Sequence, residues 1–454
     1  GDALFAGTLN GGGTLIAEVT KLAKDNTLSK LIRLVEQAQG AKSPTQQLAE
    51  RFERWYVPCV LGATVLLIVV PPLLGVTPRR HDGALWAGWF YQALAFLTAA
   101  SPCALAIGTP AAILAGIGKA ARIGVLIKGG VHLEHLAGVK AIAFDKTGTL
   151  TVGKPRVVAM QSFDEQISED EMLRLAGSLE LGSPHPLGRA IVDACAGRGL
   201  SLVEPEAAER VMAAGMRGRV EGRAIAVGRP LLFEAGVEEQ TQAVWDQWRE
   251  QGRTTVGVSV DGRLVGLIAL MDEPRPAAAE TIAALHAIGL RHTVMLTGDH
   301  RTAADAIARR LGITDVEAEL MPQAKLERVR ELDRKYGGVA MVGDGVNDAP
   351  ALAAATVGLA VGGAGSANDV ALETADVVLL ADDLNKLPEA ISLARFTQRI
   401  IYQNLFIAFA VIVLLAPMGA IGLAPISLAV LFHEGSTVVV VLNGLRILRH
   451  RVHP

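Results

Sequence analysis

The stretch Asp145-Lys146-Thr147-Gly148-Thr149-Leu150-Thr151, entered from the apolar run Val139–Phe144, decides how the chain is read. A short β-prone run that stops on a carboxylate and gives way to Gly and Thr predicts a buried strand ending in a tight loop. Two further stretches repeat the pattern. His292–Leu296 leads into Thr297-Gly298-Asp299, and Gly338–Val342 leads into Gly343-Asp344-Gly345-Val346-Asn347-Asp348. Helical patterns such as Arg301–Leu311 lie between them. Apolar strands alternating with helices predict a parallel, doubly wound sheet. Ligands of such sheets gather at the carboxyl ends of the strands, where all three acidic loops belong.

That placement suggests chemistry. A carboxylate leaving a buried strand is fixed and partly desolvated, so Asp145 could attack a phosphorus atom and divide one phosphoryl transfer into two steps. The Thr147 and Thr149 hydroxyls and the glycine-rich backbone N–H groups can bind phosphate oxygens. Charge compensation would come from a metal and a lysine. Asp344 and Asp348 offer hard oxygens suited to Mg²⁺, Lys325 is a candidate phosphate cation, and Thr297 and Asp299 add a hydroxyl and a carboxylate. Each piece alone is an ordinary loop or a solvated charge; three strand-end loops in this order are not. No G-x-x-x-x-G-K-[ST] occurs, so a P-loop is not what holds the phosphates.

Working outward, 454 residues allow roughly three domains. With 43 basic against 46 acidic residues, a net charge of −3, nothing argues for nucleic acid as a partner. An apolar fraction of 50% with 20% charged residues, and a mean hydropathy of +0.35, point to membrane spans diluted by water-soluble domains. Three cysteines outside any C-x-x-C exclude a disulfide framework and a zinc knuckle. Val57–Val76, Gly83–Gly118, Ile400–Phe432 and Gly435–Leu445 carry no charge. Two spans are expected within residues 46–125, about 57–76 and 84–118, the second broken at 101–103. Two more are expected within 386–454, about 400–420 and 425–447, divided by Ala416–Gly419 and Gly422–Pro425 and followed by a short basic tail. Lys119, Arg122, Lys128, Arg395, Arg399, Arg446, Arg449 and Arg451 flank the spans on one side, which is then cytoplasmic. Between Val152 and about Leu270 the texture changes to helix followed by short strands (Arg217–Val227, Thr255–Val260, Leu264–Leu270), an insertion in the sheet domain.

Ser101-Pro102-Cys103 falls mid-span. Proline removes a backbone donor and clashes with the preceding turn, and a helix unwound there could turn Ser101 and Cys103 toward one centre, as discontinuous helices do at ion sites. His433-Glu434-Gly435-Ser436-Thr437 brings imidazole and carboxylate into the last span, where ionisable groups are functional candidates. One thiolate, one imidazole and oxygen ligands suit borderline divalent ions such as Zn²⁺ or Co²⁺, whereas Cu⁺ prefers several sulfurs. Cys59, in the first span, reads as a packed apolar residue.

The strings D-K-T-G-T-L-T, T-G-D-H and M-V-G-D-G-V-N-D-A-P-A-L, in this order, resemble the P-type transport ATPases. The resemblance implies a multidomain α/β chain with an α-helical membrane domain. A haloacid-dehalogenase-like doubly wound phosphorylation domain would cover 126–152 and 271–385, with an inserted α+β nucleotide-binding domain at 153–270 and the C-terminal part of an actuator domain at 1–45. It implies ATP phosphorylating Asp145, in the motif with Lys146, and Mg²⁺ held by Asp145, the Thr147 carbonyl and Asp344. Thr297, Gly298, Asp299, Lys325 and Asn347 would surround the phosphate. Asp272 and Arg275 match the family's D-x-x-R. Ser183-Pro184-His185-Pro186-Leu187 is similar to the His-Pro motif of the heavy-metal subclass, which puts His185 against adenine with Pro186 beside it and Glu180 near. The subclass's G-x-G aligns with Ala213-Ala214-Gly215, its first glycine an alanine, and Gly228 fits a later glycine.

S-P-C with H-E-G-S-T resembles the cobalt/zinc-type exporters. Cys103, His433 and Glu434 would be the main ligands of the transported ion, with Ser101 and Thr437 auxiliary; Cd²⁺, Fe²⁺ and Ni²⁺ stay open. Gly1–Thr8 resembles the stretch after the family's T-G-E-S loop, so the chain corresponds to the C-terminal part of a pump, monomeric and in a bacterial plasma membrane. The expected function is ATP-driven export of Co²⁺ or Zn²⁺. The rival is a membrane-anchored phosphohydrolase of the same sheet fold. It would need an acid two positions after Asp145, where Thr147 stands.

Overall fold

A computed structural model describes residues 42–79, 85–183, 185–211, 214–233, 237–299, 301–344, 348–362, 374–380 and 383–450. Asn347, Pro184, Ala213 and nearly all of the stretch 1–45 lie outside them. The chain divides into two compact units, Gly1–Val139 with Thr356–Pro454, and Lys140–Ala355.

In the first unit four helical stretches are long and apolar enough to cross a membrane: Pro44–Leu73, Leu85–Arg122, Lys386–Ala420 and Ile426–Arg449. The first starts well before the uncharged run Val57–Val76. Ser43 caps it, its hydroxyl accepting from the Gln46 N–H at 3.1 Å. Cys59, expected to be packed, is exposed on this helix. The second stretch is two helices, Leu85–Ala100 and Cys103–Arg122, parted at Ser101-Pro102, because Pro102 has no N–H to continue the ladder.

Lys386–Ala420 runs through Pro417, contrary to the expected break at Ala416–Gly419. A proline near the end of a membrane helix costs one backbone bond, and neighbouring groups re-satisfy the backbone. The turn comes at Gly422, within the expected Gly422–Pro425 breaker, where a φ of +74° suits glycine. The helices approach closely where side chains are absent. A Cβ on Gly108 would run into Val440, and one on Gly116 would meet the Thr397 hydroxyl at 2.9 Å. The buried Asn404 seals this contact, receiving a bond from Asn443 Nδ2 at 2.8 Å. Three short strands complete the unit: Val125–Ile127 pairs antiparallel with Val377–Leu379, which pairs parallel with Val357–Val361.

The second unit holds the doubly wound sheet. Its strands are parallel in the order Val339–Gly343, Ala141–Asp145, His292–Leu296, Asp315–Glu317. Ala141, Ala143, Val294, Leu296, Val339 and Met341 pack against Val329 and Leu332 of the helix Pro322–Tyr336. Every residue of Ala141–Asp145 is buried, which is why this strand reads as an unbroken apolar run.

The insertion is a six-stranded antiparallel sheet in the order 156–162, 263–271, 254–260, 223–228, 215–220, 207–211. Side chains alternate along its strands. Ile268 and Leu270 face a core formed with the helices Glu169–Leu179 and Pro186–Gly197, while Leu267 and Ala269 face Trp245 and Trp248 of Glu239–Glu250. The expected strand Arg217–Val227 is in fact a hairpin, Gly215–Val220 and Arg223–Gly228, turned by Glu221 and Gly222 at φ of 52° and 75°. Such a turn needs positive φ at both positions and favours Asn-Gly or Asp-Gly. Glu-Gly conceals it.

Candidate active site

Asp145 ends its strand with its side chain buried. The chain then turns sharply, with Gly148 at φ +77°. A Cβ there would lie 3.3 Å from Asp344 Oδ2, so glycine lets the loop close against the end of the neighbouring strand. Lys325, from the helix Pro322–Tyr336, places Nζ 2.5 Å from Asp145 Oδ1 and 3.0 Å from Asp348 Oδ1. Burial opposes the charge on Lys325, but the two carboxylates outweigh it and raise its pKa. For Asp145, burial and then the negative charge of Asp348 push the pKa up to about 7; Lys325 opposes them and Asp344 adds to them. The strand ends thus carry more negative charge than Lys325 balances.

The other expected residues take distinct places. Lys146 is buried and ion-paired with Asp299. The Asp299 N–H donates to the hydroxyl of the buried Thr297 at 3.1 Å, so that hydroxyl shapes the loop. Gly298 is exposed beside it, and Thr147 is exposed at the loop tip. Thr149 corrects an expectation: its hydroxyl is fully buried and is not presented to a phosphate. Asp348, expected among the Mg²⁺ ligands, accepts from Lys325 Nζ through Oδ1. Asp272 and Arg275 tie the returning chain to the loop. Asp272 Oδ2 accepts from the Thr151 hydroxyl at 2.5 Å and its Oδ1 from the Gly153 N–H at 2.9 Å, while Arg275 Nη2 donates to the Gly148 carbonyl at 2.8 Å.

The insertion contains a cavity of about 290 Å³ lined by Glu180, Ser183, His185, Arg210, Gly215, Gly228, Arg229 and Thr255 among others. His185 caps the helix Pro186–Gly197, Nδ1 accepting from the Leu187 N–H at 3.2 Å. Burial and then Arg210 and Arg229 hold its pKa down, so the imidazole is neutral. Pro186, the first residue of that helix, is exposed. Glu180 is buried, and its Oε2 has no hydrogen-bond partner. Burial raises its pKa against a bond from Ser183. Gly215 and Gly228 sit opposite each other in the hairpin. A Cβ on either would strike the facing backbone carbonyl, Val227 O or Ala214 O, so strand packing already demands glycine there. Arg210 was invisible in the sequence because an arginine in a short, mostly exposed strand has no distinguishing pattern.

At the helix break, Ser101 Oγ and Cys103 Sγ lie 3.2 Å apart. The buried His433 and Ser436 face Ser101 and Pro102 across a tight gap. Ser436 donates to the His433 carbonyl at 2.7 Å, and Thr437 at 3.3 Å. The Glu434 side chain is 68% exposed, with its Oε1 4.0 Å from His433 Nε2. With 3.6 residues per turn, adjacent residues cannot share a helix face, and His433, Ser436 and Val440 occupy the inner one. Ser436 was therefore the missed polar neighbour, one turn beyond His433. Among the described residues, no three His, Cys, Asp or Glu side chains are grouped closely enough to hold a metal ion.

The sequence model of the haloacid dehalogenase-like hydrolases matches residues 139–356. The cadmium-transporting ATPase of Staphylococcus aureus is 40% identical over 458 residues, covering 99% of this chain and 61% of the relative. The zinc-transporting ATPase of Bacillus subtilis is 42% identical over 451 residues, covering 99% of this chain and 69% of the relative. A crystal structure of a zinc-transporting PIB-type ATPase in the E2·Pi state superposes with a TM-score of 0.75 at 39% identity, over 95% of this chain and 69% of that one. The chain spans about three-fifths of the length of the cadmium-transporting relatives it matches. Identity at this level along nearly the whole chain, together with the strand-end carboxylates and the four candidate spans, places it: the chain belongs to the heavy-metal-transporting P-type ATPases.

Proposed function

We propose that the full-length protein exports a divalent transition-metal ion, Zn²⁺ or Co²⁺ first among them and Cd²⁺ beside them, driven by ATP through an aspartyl phosphate on Asp145. The observation that carries this reading is Asp145 at the tip of a buried parallel strand with the Lys325 ammonium against it. The ionised carboxylate of Asp145 would attack the terminal phosphorus of ATP, leaving ADP and an acyl phosphate. Lys325, held by Asp348, would balance charge on the transferring group. The Lys146–Asp299 pair would fix the loop, and Asp272 and Arg275 would hold its far end. Asp145, Asp344 and the Thr147 carbonyl would hold the magnesium ion. The donor set fits, because its oxygens are hard and the strand ends carry excess negative charge. When bound, the ion supplies positive charge opposite the phosphoryl oxygens.

The adenine would lie in the cavity of the insertion, with Glu180, His185, Gly215 and Gly228 in its walls and Arg210 and Arg229 at its edge. Cys103 and His433 would bind the transported ion at the helix break, with Glu434 beside His433 and with Ser101, Ser436 and Thr437 as oxygen donors. The thiolate and imidazole favour a borderline divalent ion. Phosphohydrolase activity without transport is the other reading, and one experiment separates the two. ATP hydrolysis by the full-length protein is measured across Zn²⁺, Co²⁺, Cd²⁺, Fe²⁺ and Cu⁺, beside Asp145→Asn and His433→Ala. Stimulation by a divalent ion that both variants lose supports the pump. Hydrolysis indifferent to every metal yet dependent on Asp145 contradicts it.

A further inference from the structure

The cavity of the insertion differs in charge between its two ends. Its buried end holds Glu180, whose Oε2 lacks a hydrogen-bond partner, with Gly188 so close that a Cβ there would strike that oxygen. Its exposed end holds Arg210 and Arg229. Strand register puts both arginines on the cavity face. Arg210 lies opposite Met216, and Met216 opposite Val227, across three antiparallel strands. Residues so paired share a face, and Met216 and Val227 line the cavity. Arg229 comes two residues after Val227 in extended backbone, so alternation returns it to that face. The two charges also converge on one group: after burial, they are what holds the His185 imidazole neutral.

Among the described residues neither of these arginine side chains has a carboxylate or carbonyl partner. Other arginines of the insertion do. Arg174 pairs with Glu171 and Glu221, Arg198 with Asp170, and Arg217 and Arg219 donate to the carbonyls of Leu232 and Gly222. Two cations without counter-ions at the open end of a cavity suit an anion carried by a group buried behind them. At about 290 Å³ the cavity is small for a ligand site, so it takes a base and sugar and leaves a phosphate chain at its mouth. The polarity agrees. An exocyclic amine can donate to Glu180 at the buried end, and phosphate oxygens can accept from guanidinium N–H groups at the open one. We infer that Arg210 and Arg229 bind the inner phosphates of the nucleotide, leaving its terminal phosphoryl group for Asp145 and Lys325. This deepens the nucleotide reading of the cavity and rests on it. It gives the insertion a preference for nucleotides over nucleosides that the neutral His185 and the two glycines do not supply.

Binding of ATP, ADP and adenosine to the full-length protein is measured by titration calorimetry with Mg²⁺ chelated, so that no turnover occurs. Arg210→Ala, Arg229→Ala, Arg210→Lys and Arg229→Lys are compared with wild type. Each alanine variant is expected to weaken ATP and ADP about 10-fold, the size of losing one charge-assisted bond. Both should bind adenosine as wild type does, which reports an intact cavity. The lysine variants should retain most of the affinity, because the charge remains. ATP held as tightly by both alanine variants as by wild type overturns the inference. Adenosine weakened as much as ATP overturns it too, because the arginines then only shape the cavity. A wild type that binds neither ATP nor adenosine overturns the nucleotide reading, and this inference with it.

Discussion

Lys325 lies between Asp145 and Asp348, and no spacing in the sequence brings these three together. Asp145 could be located because its loop is contiguous with its strand. The partner that anchors Lys325 depends on how the helix Pro322–Tyr336 docks, which is a tertiary fact. The raised pKa of Asp145 gives a stability prediction with a definite sign. Its folded value of about 7 exceeds the unfolded carboxylate value near about 4. The folded state therefore holds the extra proton between the two, and the group destabilises the metal-free fold increasingly from about pH 4, fully above about pH 7. Asp145→Asn should then be more resistant to urea than wild type at about pH 8, by on the order of 2–4 kcal/mol, and indistinguishable from it at about pH 4. Equal stability of the two at both pH values would contradict this. Removing the balancing cation should act on rate as well. Lys325→Ala should slow phosphorylation of Asp145 about 10²- to 10³-fold, the size of losing one charge-stabilising donor, in a rapid-quench assay at saturating ATP.

At the scale of elements, the parallel strands were legible because burial on both faces writes an unbroken apolar run, as Ala141–Asp145 shows. The hairpin Gly215–Gly228 was not, since its turn lacks the usual Asn or Asp and its two glycines look like ligand contacts. They line the cavity and also face each other across the strands. Gly228→Ala should destabilise the insertion by about 1–3 kcal/mol through overpacking against the Ala214 carbonyl. The midpoint of denaturation should fall even without nucleotide, and an effect seen only in nucleotide affinity would return this glycine to a ligand role. Helix phase accounts for the membrane site in the same way. His433 and Glu434 are adjacent in sequence, yet His433 and Ser436 are buried on the inner face while the Glu434 side chain is mostly exposed. A motif names residues, and 3.6 residues per turn decides which of them meet.

Across the whole molecule, membrane spans and strand-end loops were both readable because each is a local pattern. What links them is not local. The helix break takes its surroundings from contacts far along the chain, Ala104 and Leu105 with Ala408 and Val440 among them, that no window of sequence contains. The central claim is that occupancy of the helix break controls chemistry at Asp145. It is tested most directly by exposing the full-length protein to ATP labelled on the terminal phosphate, with Mg²⁺ and with or without Zn²⁺, and recovering acid-stable label after quenching. The account predicts label on Asp145 that rises with Zn²⁺ in wild type, is absent in Asp145→Asn, and no longer responds to Zn²⁺ in Cys103→Ala. Label that forms equally with and without Zn²⁺, or that responds unchanged in Cys103→Ala, would contradict it.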